Sequence, residues 1–438
     1  MSHPSQDTDG RPTRVRYLLL TVATANAFLL YLDRICMGAV VQATSFQQEM
    51  GLNKEQTGDV LASFFFAYAL GQTPAGWLAD RFGPRRMLTC YILLWSLCTA
   101  ATGFATGLWS LLAARIACGL AEAGAYPASG LLITRWFPFL HRARANGVVA
   151  FGGRVGNSLA LWLTASAIAR FGSWRPVLWI YGAFGVLLAA ATYTVFRDHP
   201  DSHPWSNEAE RRLIRLGSPA ESRPRLGSPW KSLFRHRGLW FFNLGAVGLN
   251  IGWAFLITWL PAYLVEVRHL DRVTASRYVS IALAFSLSGM LLGGWWCDVL
   301  TRRYGQRWGR RLPFLLGSAV CIAAYLLCPW LKDPVLVAVA CGVVAFASDS
   351  LGPAVWAVGQ DIGGRHVAAT MAWSNMWGNF GASAVAKIIP MVLASPLHYA
   401  DWREVFWLCA GGFALLGLCA LLVDATRSIE TVTPAESL

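Results

Sequence analysis

The sequence predicts an all-α membrane protein with twelve transmembrane helices in two six-helix halves. Three observations carry that expectation. Apolar residues make up 55% of the 438 and charged residues only 14%, well short of the ~25% charge that keeps a soluble domain wet. The apolar residues fall in blocks of about 20, the helical length that crosses a bilayer core of about 30 Å. A motif near residue 80 also returns near residue 298, on the same side and six blocks later.

The blocks run approximately over 17–41, 57–79, 87–106, 108–134, 145–169, 176–196, 238–264, 274–297, 312–331, 334–359, 366–393 and 403–423. They are about twice the length of a membrane-barrel strand and lack strict alternation, so helices are expected. The first block is too long for a removed signal peptide and lacks a small-residue cleavage site.

The loops set orientation. Arg11, Arg14 and Arg16 precede the first block. Arg81, Arg85 and Arg86 follow the second, and Arg135, Arg142 and Arg144 follow the fourth. Nine Arg or Lys residues lie in 197–237, and Arg302, Arg303, Arg307, Arg310 and Arg311 follow the eighth block. The opposite side has only scattered charges such as Lys54, Arg170 and Lys332. This asymmetry predicts both termini in the cytoplasm. The net charge of +13 therefore sets topology and adds attraction for anionic lipid, and a nucleic-acid partner is not expected.

The echo defines the halves. Gly76-x-x-x-Asp80-Arg81-x-Gly83-x-Arg85-Arg86 is answered by Gly294-x-x-x-Asp298 and then Arg302-Arg303-Tyr304-Gly305. Residues 1–196 form the first half, 197–237 a polar linker and 238–438 the second half. Parallel repeats of this kind suit alternating access to a site at their interface.

Chemistry is written in the embedded polar residues. "LLYLDRICMG" places Asp33 and Arg34 inside the first block. Arg115 and Glu122 lie in the fourth, Arg154 in the fifth and Asp349 in the tenth. Asp33 is about 24 Å from the basic end and Arg115 about 10 Å below the other face, at ~1.5 Å per residue, so their depths roughly coincide. Arg115 and Glu122 are two turns apart on one helix face. A charge at such depth costs about 2.5–3.5 kcal/mol on insertion scales, so these groups must face a polar cavity or one another.

One reading is a neutralised structural cluster, pairing Asp33 with Arg115 or Glu122 with Arg154. The other is functional: the carboxylic acids exchange protons while the arginines, always charged, hold a substrate carboxylate. Adjacent residues on a helix point about 100° apart, so Arg34 can face a substrate while Asp33 faces another helix. Gln72, Asn157, Asn375 and Asn379 can bond hydroxyls or serve interhelical contact. Trp253, Trp259, Trp356 and Trp373 are candidates for stacking on a sugar face, against a role in packing. Arg154 invites a substrate with a second carboxylate, with Glu122 as the alternative counter-ion. Asp80, with Arg81 and Arg85, is expected to latch helix ends, with Asp298 as its echo.

The ten cysteines lie inside apolar blocks without Cys-x-x-Cys or Cys/His clusters, and are read as small apolar fillers. Metal sites and cofactors are not expected. The absence of a Walker motif argues against a pump, and the absence of a catalytic cluster against an enzyme.

The Gly76–Arg86 motif resembles the signature of the major facilitator superfamily. "YLDRICMG", "FAYALGQTPAGWLADRFGPRR", "RIACGLAEAGAYPASGLLITRWFP", "WLPAYLVE" and "WAVGQDIGGRHVAATMAWSNMWGNFG" resemble its anion:cation symporter branch, which includes bacterial sugar-acid transporters, sialin and vesicular glutamate transporters. The resemblance implies proton-coupled symport of a sugar acid such as an aldarate, hexonate or hexuronate. It puts proton coupling on Asp33 and Glu122 and substrate contact on Arg34, Arg115 and Tyr68. It also implies a monomer in a bacterial-type inner membrane. Arg154 departs from the neutral residue common in that branch. A facilitator or exchanger of the same anions, a channel and a transporter-like sensor are the alternatives.

Overall fold

A computed structural model describes residues 10–215, 228–393 and 402–430. Its long helices are numbered here in chain order. Helix 1 is Val15–Val40, helix 2 Lys54–Phe82 and helix 3 Pro84–Thr102. Helix 4 comprises Leu108–Glu122 and Ala125–Trp136. Helix 5 is Arg142–Phe171 and helix 6 Arg175–Val195. Helix 7 is Arg237–Thr258, extended by Leu260–Glu266. Helices 8 and 9 form one run, Arg272–Leu327, broken at Gly305. Helices 10, 11 and 12 are Pro334–Ile362, Val367–Leu393 and Trp402–Leu422.

Local sequence explains the boundaries. Asn53 and Gln56 form a reciprocal capping box that starts helix 2. Asp271 accepts from the amides of Val273 and Thr274, and Asp333 from that of Val335 with Pro334 in the first turn. The break after helix 8 uses the φ of 74° and ψ of 173° at Gly305, a conformation that a side chain would oppose. The arginine-rich loop expected there is thus a bend between two nearly continuous helices.

Among the described residues, eight helical segments are long and apolar enough to cross a membrane, with helices 8 and 9 counted as one. Helices 2, 3 and 5 are not among them. Helix 5 carries Arg142, Arg144, Asn146, Arg154 and Asn157, so polarity aimed into the protein lowers its hydropathy.

Among the described residues, buried apolar side chains form two large clusters and two smaller ones. One large cluster is built from Val15 to Ile214 with Val367, Ala368 and Met371. The other runs from Leu233 to Ile429 with Ala143. The exceptions lie where helix 11 meets helix 2 and where helix 5 meets helix 8. In the segment between helices 6 and 7, Glu208–Arg215 is helical. Its Glu210 is fully buried, accepts from the Val15 and Arg16 amides and pairs with the Arg16 guanidinium at 3.0 Å. That short helix therefore ties the linker to the start of helix 1.

Candidate functional site

The charged pairs organise the centre of the molecule. Helices 2 and 4 approach so closely at Gly119 that a Cβ there would collide with the Phe64 carbonyl. This contact brings Arg115 and Glu122 beside the aromatic face of helix 2. Helix 4 then breaks just past Glu122, where a side chain on Gly124 would strike the Tyr91 ring.

Glu122 is 1% exposed, and its Oε2 accepts from Arg34 Nε at 3.1 Å and Nη2 at 2.9 Å. The Arg34 guanidinium lies 4.3 Å from the Tyr68 ring centroid and 5.1 Å from that of Tyr31, a cation–π setting that supports it independently of the carboxylate. Arg115 is 2% exposed and sits 4.4 Å from the Phe64 centroid, with no hydrogen-bond partner for its Nε. Asp33 is fully buried. Its Oδ2 accepts from the Trp95 indole at 3.1 Å, and its Oδ1 has no partner.

Arg154 binds Asp349 of helix 10 at 2.7 Å and lies 4.6 Å from the Trp253 centroid. The pairings differ from both expected ones. Glu122 is held by Arg34 rather than Arg154, and Asp33 by an indole rather than Arg115. Depth along a helix placed these groups at one level, but the face each presents decides its partner. Asp349, an embedded acid for which a structural or gating role and a substrate role are equally open from sequence, lies with the central group.

Polar side chains on helices 2 and 11 complete the region. Asn375 Nδ2 donates to Gln72 Oε1 at 2.9 Å and reaches the Tyr68 hydroxyl at 3.4 Å. Asn379 donates back to the Asn375 carbonyl. Trp356 stacks on Tyr126 with centroids 5.6 Å apart, and Tyr126 meets Tyr31 edge-on at 6.0 Å. Asn157 is half-buried, one turn beyond Arg154. Trp259 is half-buried at the joint in helix 7, its indole N–H without a partner. Trp373 instead packs with Phe234, Trp240 and Trp377, outside this group.

The echoed aspartates each sit at the basic end, away from the centre, against different helices. Asp80 accepts from the amides of Ala368 and Ala369 at 2.9 and 2.8 Å, the unsatisfied donors at the start of helix 11. Asp298 accepts from the Arg144 amide at 3.1 Å, at the start of helix 5. A Cβ on Gly76 would come within 2.5 Å of the Ala368 carbonyl, and one on Gly294 within 2.7 Å of the Ala143 carbonyl. Each repeat thus supplies a glycine for close approach and an acid for the facing helix. Arg81 is exposed and lies against Trp77 and Phe82. The Arg85 amide donates to Asp198 and its Nε to the Tyr193 carbonyl.

Sequence reasoning did not single out Trp95, Phe64, Asp198, Glu210 or the buried Arg310–Asp361 pair at 2.8 Å. Indoles and phenyl rings carry no motif, and the loop partners are distant in sequence. Glu210 alone had a readable sign, since it follows Asn207 by three residues at the start of a short helix.

A sequence model of the Major Facilitator Superfamily matches residues 23–386. The chain is similar to a probable sulfoacetate transporter of Cupriavidus necator, 28% identical and covering 93% of each chain. It is 28% identical to a D-galactonate transporter of Escherichia coli, over 86% of this chain and 89% of that one. A probable galactarate/D-glucarate transporter of Bacillus subtilis is 29% identical, over 88% and 87%. Among solved structures, the FucP transporter in its outward conformation superposes with a TM-score of 0.70 at 14% identity, over 94% of this chain and all of that one. The proton:xylose symporter XylE gives 0.67 at 16% identity, over 92% and 94%. Because the family model spans residues 23–386, most of its length, the chain belongs to the Major Facilitator Superfamily and is a multi-pass membrane protein.

Proposed function

We propose that the protein is a secondary transporter that carries a small organic anion, a sugar acid or a related carboxylate, together with protons. The observation that carries this reading is the grip of Glu122 on Arg34. An ionised Glu122 occupies the nitrogens that would otherwise bind a carboxylate. When Glu122 takes a proton, its claim on Arg34 weakens and a substrate carboxylate replaces it, with Arg115 beside it. Asp33, one residue from Arg34 and close to Arg115, serves as a second proton carrier. Gln72, Asn375 and Asn379 offer amides to hydroxyl groups, and Tyr68 stays under the guanidinium throughout.

Residues 1–196 and 238–438 rock about this centre, joined by 197–237. Asp80 and Asp298 hold the basic end shut in one phase of the cycle. That end, with both termini, faces the cytoplasm of a bacterial-type inner membrane. The names of the relatives, which include sulfoacetate, galactonate and galactarate/glucarate transporters, support an anionic substrate.

The test is uptake into proteoliposomes under an imposed pH gradient. Labelled galactonate, galactarate and sulfoacetate would be the first substrates, chosen by which of them raises the melting temperature. Accumulation that a protonophore abolishes is the expected result. Counterflow without any proton-driven accumulation would make the protein an exchanger instead.

A further inference from the structure

The centre contains two arginine–acid pairs of the same construction. In each, the arginine is the more accessible partner. Side-chain exposure is 10% for Arg34 against 0% for Glu122, and 18% for Arg154 against 6% for Asp349. In each, the guanidinium lies over an aromatic ring, Tyr68 for Arg34 and Trp253 for Arg154. The acids keep spare capacity to different degrees: Glu122 Oε2 takes both arginine bonds while its Oε1 accepts only from the Cys118 thiol at 3.9 Å, and Asp349 Oδ2 has no hydrogen-bond partner.

Tyr31 joins the two pairs. Its ring lies 5.1 Å from the Arg34 guanidinium, and a Cβ on Gly153, next to Arg154, would come within 2.8 Å of its edge. Arg154 is also at working depth. It stands twelve residues from the start of helix 5, and Asp349 thirteen from the end of helix 10, so each is about 18–20 Å from the basic end at ~1.5 Å per residue.

We propose that Arg154 and Asp349 form a second anion-binding head, which takes the second acidic group of a dianionic substrate and carries a further proton with it. This rests on the symport reading above and names its substrate class. The exchange balances. Arg154 releases the Asp349 carboxylate and binds the substrate's second carboxylate or sulfonate, while Asp349 takes one proton and stays neutral. The groups around Asp349 are Arg154 from helix 5, the Trp253 indole from helix 7, the Ser286 hydroxyl from helix 8 and the Cys321 thiol from helix 9. Arg154 is the cation among them, so Asp349 loses its counter-charge when the substrate claims that side chain. A neutral acid then costs far less at this depth than a bare carboxylate.

The experiment compares acids that differ by one acidic group: galactarate with galactonate, and sulfoacetate with acetate. Uptake, affinity and proton stoichiometry are measured in proteoliposomes for the parent protein, for Asp349→Asn, and for Arg154→Gln combined with Asp349→Asn. The double variant removes the pair without stranding a buried charge.

The parent should prefer the dianion in at least one pair and carry one more proton with it than with the monoanion. The double variant should lose roughly tenfold or more in dianion affinity, the effect of one lost charge-assisted bond, with monoanion affinity unchanged. Asp349→Asn, with Arg154 left free, should keep the dianion and carry one proton fewer. Equal loss of both substrates, an unchanged stoichiometry in Asp349→Asn, or a parent that prefers the monoanion in both pairs would overturn the proposal. In each of those cases proton-driven uptake of a monoanion leaves the symport reading standing. Loss of proton-driven uptake for every substrate in the parent would instead sink both.

Discussion

Replacing Asp80 by Asn tests whether the basic end is held by the contacts described. Asp80 donates nothing and accepts twice, from the Ala368 and Ala369 amides at 2.9 and 2.8 Å. Those amides stand in the first turn of helix 11 and have no acceptor within it, since the Thr370 amide is the first to bond back, to His366. Each bond to the carboxylate is worth about 1.5–3 kcal/mol. An asparagine keeps one acceptor and turns its NH₂ towards the other amide, so the latch loses at least one such bond and the charge at a helix N-terminus. At about 1.4 kcal/mol per tenfold, the opening equilibrium should shift by more than tenfold. Hydrogen exchange reads this directly, because protection at these two amides comes from Asp80. Exchange in the peptide spanning 366–372 should speed up more than tenfold, while helix 12 is unchanged. Unaltered exchange in a folded Asp80→Asn protein would refute the latch. Asp298→Asn should loosen the Arg144 amide in the same way.

Glu122→Gln should keep substrate exchange but lose proton-driven accumulation, because the amide cannot cycle a proton; undiminished accumulation would remove Glu122 from the coupling route. Arg34→Lys and Arg115→Lys should each weaken substrate binding roughly tenfold or more, the effect of losing one charge-assisted bond, with membrane insertion intact; a binding isotherm unchanged in both would place the carboxylate elsewhere. Gly119→Ala should push helix 4 from the Phe64 carbonyl and lower both melting temperature and uptake; wild-type uptake would show that this close approach is dispensable.

The twelve spans were legible because the bilayer imposes a length on every apolar run. Boundaries agreed within a few residues where caps such as Asn53 or Asp333 stand in the sequence. The Gly76–Asp80 and Gly294–Asp298 echo was legible too, since a glycine four residues before an acid is a local pattern. Partners were not. Arg34 and Glu122 are 88 positions apart, and Arg154 and Asp349 are 195 apart. Depth alone leaves several acids at the level of each arginine. Choosing among them needs the rotation of each helix, which close contacts set, such as Gly119 on Phe64 and Gly152 on Thr24. In the aromatic floor under the arginines, Tyr68 was named only through the family resemblance and Phe64 not at all, for a related reason. Phe64 and Tyr68 lie in an apolar run whose composition is the same whether a ring faces lipid or a cation.

The central charges also constrain what can move with an anion. Three arginines, Arg34, Arg115 and Arg154, face three acids, Asp33, Glu122 and Asp349, so the group is neutral when all six are ionised. A monoanion entering this buried region leaves one uncompensated negative charge, and a dianion leaves two. At the middle of a bilayer such a charge costs at least about 2.5–3.5 kcal/mol, which a proton on one of the acids removes. Exchange of one anion for another satisfies the same balance without any proton, so neutrality alone does not separate symport from exchange. Asp33 does. Glu122 and Asp349 each have an arginine in contact, whereas Asp33 has an indole N–H on one oxygen and nothing on the other. An exchanger gains nothing from an acid kept without a contacting cation, because no step of its cycle needs the neutral form. A symporter needs an acid that can hold its proton while the arginines are engaged with substrate. Asp33→Asn should therefore leave counterflow of labelled substrate intact and abolish its accumulation, and full accumulation in that variant would return the choice to exchange.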